Sequence, residues 1–197
     1  MTERSNLVRA AVVIFALAAA WVLFWGLPAR YGARQAPASA AAPAAPSSAP
    51  ATAVRRITAI LFYVSEDGLS LAPVQREVPF ESNVTEQARA IIEAQLSAPP
   101  PLVSAIPSDT KLREIFVTER GDAFVDLSGD VVAKHTGGTL DEILTVYAIV
   151  NALTVNLPAI SRVQSLVDGK EVDTLAGHVD LRHPLAKSMD WVVHDTH

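Results

Sequence analysis

The chain has 197 residues and no cysteine. This excludes a disulfide framework, a thiolate metal site and an export signal that attaches lipid to a cysteine. Basic residues are sparse where the folded part is expected. From residue 55 onward there are 12 Lys and Arg against 20 Asp and Glu, a net charge of −8. An acidic segment without a basic stripe argues against a nucleic-acid partner. No Gly-rich phosphate cradle is present, because Gly137-Gly138 reads as the approach to a helix. No Gly-x-Ser-x-Gly elbow precedes a helix, so nucleophilic hydrolysis has no support.

What is present begins with an uninterrupted apolar run of 18 residues, 10–27, carrying Trp21, Phe24 and Trp25 at its far end. At 1.5 Å per residue it reaches about 27 Å, one hydrocarbon core, and the tryptophans fit an interfacial anchor. The competing reading is a cleaved signal peptide with Ala-x-Ala sites in 36–40. The run exceeds the usual signal core and those sites lie far from it, which favours an anchor. Residues 1–27 are therefore expected to be tail and transmembrane anchor. Residues 28–54 follow as an Ala/Pro/Ser-rich linker, about 80 Å when extended and about 30 Å as a coil. A domain over 55–197 completes the chain. The expected location is a single pass through the cytoplasmic (inner) membrane, with the C-terminal domain outside it in the periplasm.

The domain is organised around residues 137–157. Thr139 stands as N-cap with Glu142 three positions on, the spacing of a capping box. Leu140, Ile143, Leu144, Val146, Tyr147, Ile149, Val150, Leu153 and Leu157 fill about 220° of the helix, too wide for a surface element. The helix is expected in the core. Asp141, Thr145, Ala148 and Ala152 are left as an outer strip. Asn151 flanks the apolar arc, so its amide is expected to be buried and tied to a neighbouring loop.

Around this helix, 56–64 reads as a strand buried on both faces and 69–78 as an edge strand containing Pro73. Asn83 with Glu86 begins an amphipathic helix over 84–96, stopped before Pro99-Pro100-Pro101. Strands follow at 112–118 and 123–128, then at 162–167 and 171–174 across an Asp168-Gly169 hairpin turn. Residues 175–193 are turn-rich and expected to wrap the sheet. Hairpins interrupted by single helices give an α+β fold, a mainly antiparallel sheet with two main helices packed on one face.

The segments 61–63 (Leu-Phe-Tyr), 71–79 (Leu-Ala-Pro-Val-Gln-Arg-Glu-Val-Pro), 104–112, 124–128 (Phe-Val-Asp-Leu-Ser), 144–154 and 163–170 (Val-Gln-Ser-Leu-Val-Asp-Gly-Lys) together resemble the GerMN domain. That module takes its name from the sporulation and germination protein GerM. The resemblance runs in order over nearly all of 56–185. It implies an extracytoplasmic module without established enzymatic activity, folded like the ring-building motifs of envelope machines. The chain departs from the pattern in three ways. It carries one copy, it has an apolar anchor in place of a lipidated cysteine, and it reads three prolines where Gly-Pro is usual.

The sequence offers several candidates for chemistry. His178, Asp180 and His183 are a conceivable metal trio, although neither helical nor strand spacing aligns them, and surface groups in a turn explain them as well. His194 and His197 are expected to be solvated. Glu119, Asp122 and Asp126 could supply paired carboxylates, or simply the acids of a hairpin. Asp126 and Ser128 could cap the turn after their strand. The expected function is non-catalytic protein interaction or assembly at the bacterial cell envelope, through an envelope partner or self-association, with Thr145, Ala148 and Ala152 as the contact surface. The alternative is a small-molecule or cell-wall glycan (peptidoglycan) binding module using Asn151, Tyr147 and the loop 97–110. A metal-dependent hydrolase is the remote third reading. No cofactor is implied.

Overall fold

The computed structural model describes residues 55–193. The apolar run 10–27 and the linker 28–54 lie outside the described residues, and among those described no helix is long and apolar enough to cross a membrane.

β1 (Arg56–Val64) and β2 (Leu71–Pro79) form an antiparallel ribbon with Arg56 opposite Pro79 and Val64 opposite Leu71. Leu61, Phe62 and Tyr63 are consecutive and all buried, so β1 is covered on both faces as expected. β2 is an edge strand. Pro73 and Pro79 bring no N–H to its rim, and only Leu71 is paired outward, in a bridge to Val192.

α1 (Val84–Leu96) has the predicted bounds. The Asn83 side chain accepts from the N–H groups of Thr85 (2.7 Å) and Glu86 (3.4 Å), satisfying two donors that the first turn leaves free. Glu86 reaches Arg89 at 3.7 Å.

A second sheet follows, ordered β3 (Leu112–Val117), β4 (Asp122–Leu127), β5 (Arg162–Val167) and β6 (Lys170–Glu171), with β7 (Leu185–Ala186) also on β5. The expected α+β fold with mainly antiparallel pairing is present, arranged in two sheets rather than one, and β4 pairs with β5 in parallel. Parallel neighbours need a crossover connection, which α2 (Asp130–Ala133) and α3 (Thr139–Asn156) supply. α2 had no sequence signal strong enough to place it. The hairpin turn is confirmed: Asp168 (φ 50°) and Gly169 (φ 77°) are both left-handed, as a two-residue turn requires. The returning strand is only Lys170–Glu171.

α3 is embedded, as predicted, packing on β1, α1, β5 and β7. Its start differs. Gly138 is the cap and offers no side chain, while Thr139 is the first helical residue. There is no capping box. The predicted outer strip is also corrected: Thr145, Ala148 and Ala152 are buried, at 1%, 0% and 0% exposure. These residues share one face with Asn156. Thr145 donates to the carbonyl of Ala105, and Asn156 is bonded to Ile60 of β1, so both ends of that face are fastened. The two alanines between them let α3 come close to its neighbours. Asp141 alone of the strip stays exposed.

Candidate functional site

The described residues line a half-open cavity of about 330 Å³ between the loop after α1 and the start of α3. Its floor is apolar, with Ile106 and Leu144 buried and Val64 half-buried beside them. One wall is the loop Ser104–Ser108, and the other is Lys134, His135 and Thr136 with Asp141 and Thr145 of α3.

The wall is positioned by a chain of hydrogen bonds. Gly137 and Gly138 both have positive φ (83° and 89°), which turns the backbone sharply between α2 and α3. The turn brings the Gly137 N–H to His135 Nδ1 at 3.0 Å. An Nδ1 that accepts leaves the ring proton on Nε2, which lies 3.3 Å from Thr145 Oγ1. The Thr145 hydroxyl passes its own proton to the Ala105 carbonyl at 2.6 Å. Helix, turn and loop are thereby joined through one imidazole and one hydroxyl.

The far rim is closed by Lys134, whose Nζ lies 2.5 Å from Asp109 Oδ2 and 3.5 Å from Asp130 Oδ1. The hydrogen bond and charge of Lys134 hold the Asp109 carboxyl below the usual range, and the same hydrogen bond raises Lys134. Thr136 donates to Asp141 Oδ2 at 2.9 Å.

Of the residues singled out from the sequence, Asp141, Leu144 and Thr145 line this cavity, as does the stretch Ser104–Ser108 of the loop 97–110, whereas Asn151 and Tyr147 do not. Asn151 is fully buried and ties α3 to the C-terminal loop, donating to the Ser188 carbonyl (2.7 Å) and accepting the Ser188 N–H (3.2 Å). Its predicted loop tie is present, and its place is away from the cavity. Tyr147 is half-buried and packs on the core. The cavity residues Lys134, His135 and Thr136 went unnoticed. Their only sequence signal is polar chain just before the glycine pair.

Glu142 is the second missed residue. It is wholly buried, and its carboxylate accepts from the N–H groups of Leu175 (2.7 Å) and His178 (2.8 Å), with His178 Nδ1 at 3.2 Å. Burial alone would raise its pKa. The converging N–H groups of Ala176, His178, Leu175 and Val179 outweigh that and hold it below its ordinary value. It clamps the C-terminal loop onto α3.

The other candidates are structural. Asp180 is gripped by Arg182 at 2.9 and 2.7 Å, which holds its carboxyl well below the usual range, while His178 faces Glu142. No group of three or more His, Asp or Glu could hold a metal among the described residues, and His194 and His197 lie outside them. Arg162 takes Asp122 with two bonds, of 2.8 and 3.2 Å. Asp126 accepts from Arg113 (3.1 Å) and from the Gly169 N–H (2.7 Å), fixing the β5–β6 turn against the end of β4. Glu119 is exposed. Ser128 accepts the Lys111 N–H at 3.1 Å.

The two sheets and the helices packed on them define an α+β module. The tandem GerMN domains of the sporulation protein GerM from Bacillus subtilis have the same fold, with a TM-score of 0.52 and 16% identity over 67% of this chain and 46% of that one. The first GerMN domain of that protein alone gives 0.49 and 16% over 68% of this chain and 99% of its own length. A lipoprotein structure from Clostridium perfringens gives 0.48 and 24% over 67% and 88%. No curated protein matches the chain. The chain belongs to the Germane family, described as sporulation and spore germination, which it matches over residues 60–173.

Proposed function

We propose that the protein is a membrane-anchored, extracytoplasmic, non-catalytic module that acts by docking to a protein partner at the cell envelope. The observation that carries this reading is an apolar surface at one end of the β1–β2 ribbon. Six large apolar side chains among the described residues are exposed, and four of them gather around the turn joining these strands: Leu69 (60%), Val103 (59%), Val193 (40%) and Met189 (37%). Val103 accepts the Val64 N–H at 2.9 Å on one side of the ribbon. On the other, Val193 donates to the Leu71 carbonyl at 2.9 Å. Exposed apolar side chains gathered in one place mark an interaction site more often than scattered ones do.

The sequence supports the rest. The tether enters at Arg56, and nine residues of strand, about 30 Å, separate that point from Val64. The apolar end thus lies about 30 Å from the start of β1. An acidic domain hung on a long linker beyond a membrane span is suited to reaching a partner.

The absence of cysteine makes the test direct. A Leu69→Cys variant of the full chain is labelled with a membrane-impermeant maleimide in one portion of intact cells and cross-linked through its free thiol in another, with Phe116→Cys as control. The expected result is labelling without lysis and a discrete adduct from position 69 alone, whether with a second copy or with another envelope protein. Labelling only after lysis would overturn the location, and labelling with no adduct would overturn the docking.

A further inference from the structure

We infer that the cavity between the loop Ser104–Ser108 and the start of α3 binds a small, uncharged, hydroxyl-rich ligand about one sugar ring in size. This does not depend on the docking reading above, although the cavity borders the apolar end, sharing Val64 and Gly68 of the ribbon.

Size is the first argument. A cavity of about 330 Å³ sits at the lower end of ligand pockets, which run roughly 300–1,000 Å³. It exceeds the space of a few waters, at about 30 Å³ each, and is too small for a folded segment. Its walls are also preformed. The linked Thr145–Ala105 and His135–Thr145 contacts and the Lys134–Asp109 pair fix two separate points of the rim, so a ligand need not order them.

The polar chemistry selects the class. Three hydroxyls at the cavity have already given their protons to the protein: Thr145 to the Ala105 carbonyl, Ser104 to the Ile106 carbonyl at 3.0 Å, and Thr136 to Asp141. Ser104 also accepts the Ile106 N–H and Thr145 faces the His135 Nε2 proton, which leaves each one lone pair, and Thr136 two, with which to meet a ligand as an acceptor. The Asp141 carboxylate is likewise acceptor-only. Against these stand the Ser108 hydroxyl and the protons of Lys134, as donors. An anion would meet Asp141 and an ammonium already neutralised by Asp109 and Asp130. A cation would find only Asp141, which is exposed and already accepts from Thr136, and an exposed ion pair contributes little. A neutral hydroxyl group donates to one neighbour while accepting from another, and it alone suits a lining that mixes acceptors with few donors. The floor of Ile106, Leu144 and Val64 then matches the C–H face of a ring.

The test is titration of the full chain in lipid nanodiscs, followed by amide chemical shifts, with four probes of one ring size: glucose, N-acetylglucosamine, glucuronate and glucosamine. Thr136→Val and Ser108→Trp are the test variants; both positions are exposed, so folding should survive, and unchanged far-ultraviolet circular dichroism checks that. The expected result is weak binding of a neutral sugar, with shifts confined to 64–68, 104–108 and 134–145. Binding should fall at least tenfold in Thr136→Val and be lost in Ser108→Trp, while Phe116→Ala leaves it unchanged. Absence of binding by both neutral sugars, shifts elsewhere, equal binding by both variants, or tighter binding of glucuronate or glucosamine would each overturn the inference.

Discussion

Gln95 of α1 pairs with Phe62 of β1 as a neighbouring strand would. The Phe62 N–H donates to Gln95 Oε1 at 2.9 Å, and Gln95 Nε2 returns a bond to the Phe62 carbonyl at 2.6 Å. Asn156 of α3 does the same two residues earlier, accepting the Ile60 N–H at 2.8 Å and donating to its carbonyl at 2.7 Å. Val103 takes the Val64 N–H. The rim of β1 that faces away from β2 is thus closed by two side-chain amides and one loop carbonyl. An unpaired edge would otherwise invite another strand, and the two-stranded ribbon owes its isolation to these caps.

Replacing Gln95 with Leu should strand both backbone groups of Phe62 in the interior. The expected cost is about 3 kcal/mol, since each unpaired buried group costs roughly 1–3. Urea unfolding should show a lower midpoint with an unchanged slope. A wild-type midpoint would mean that the amide caps carry no stability.

The burial of the alanines reverses what the sequence suggested for Ala148. With no exposed surface at this position, Ala148→Arg has to bury a guanidinium or push α3 off β1. Destabilisation of about 4 kcal/mol or more is expected, seen as loss of the cooperative transition in circular dichroism. A folded variant with altered association alone would restore the strip as a contact surface.

Glu142 predicts acid sensitivity. Its folded pKa lies below its ordinary value of 4.5, so the folded form binds the proton less tightly than the unfolded chain does. The stability it contributes is present above about pH 4.5 and is lost as pH falls through the lower folded value. Glu142→Gln should cost about 2 kcal/mol at neutral pH by turning an amide donor toward backbone donors. The gap between variant and wild type should narrow steadily below pH 4.5. A gap independent of pH would show that the carboxylate charge is immaterial.

Thr145 joins helix to loop through one hydroxyl. Thr145→Val keeps the shape and removes the bond to Ala105, at an expected cost of about 1–2 kcal/mol. Amide exchange over 104–108 should accelerate while the β4–β5 amides stay protected. Equal exchange in both proteins would show that the loop is held by other contacts.

Much of the fold was legible because it follows from local rules. Asn83 marked the start of α1 because a short polar side chain can satisfy the free N–H groups of the first turn. Asp168-Gly169 marked its hairpin because both residues tolerate positive φ. The start of α3 was misread by one residue. Thr139 and Glu142 carry capping-box spacing, yet the glycine pair supplied the turn and left Glu142 free for partners more than 30 positions away.

By itself, the sequence determined where chain could form helix or strand, which helix had to be central, and the kinship of residues 60–173. Only tertiary structure decided which side of that helix was covered. Alanine and threonine sit about as well against a neighbouring backbone as in water, so periodicity reads them as surface when they are small spacers. Tertiary structure also decided the partners of the buried polar groups. Asn156 meets Ile60 across 96 positions, and no local pattern encodes a contact that exists only once the chain has closed around it.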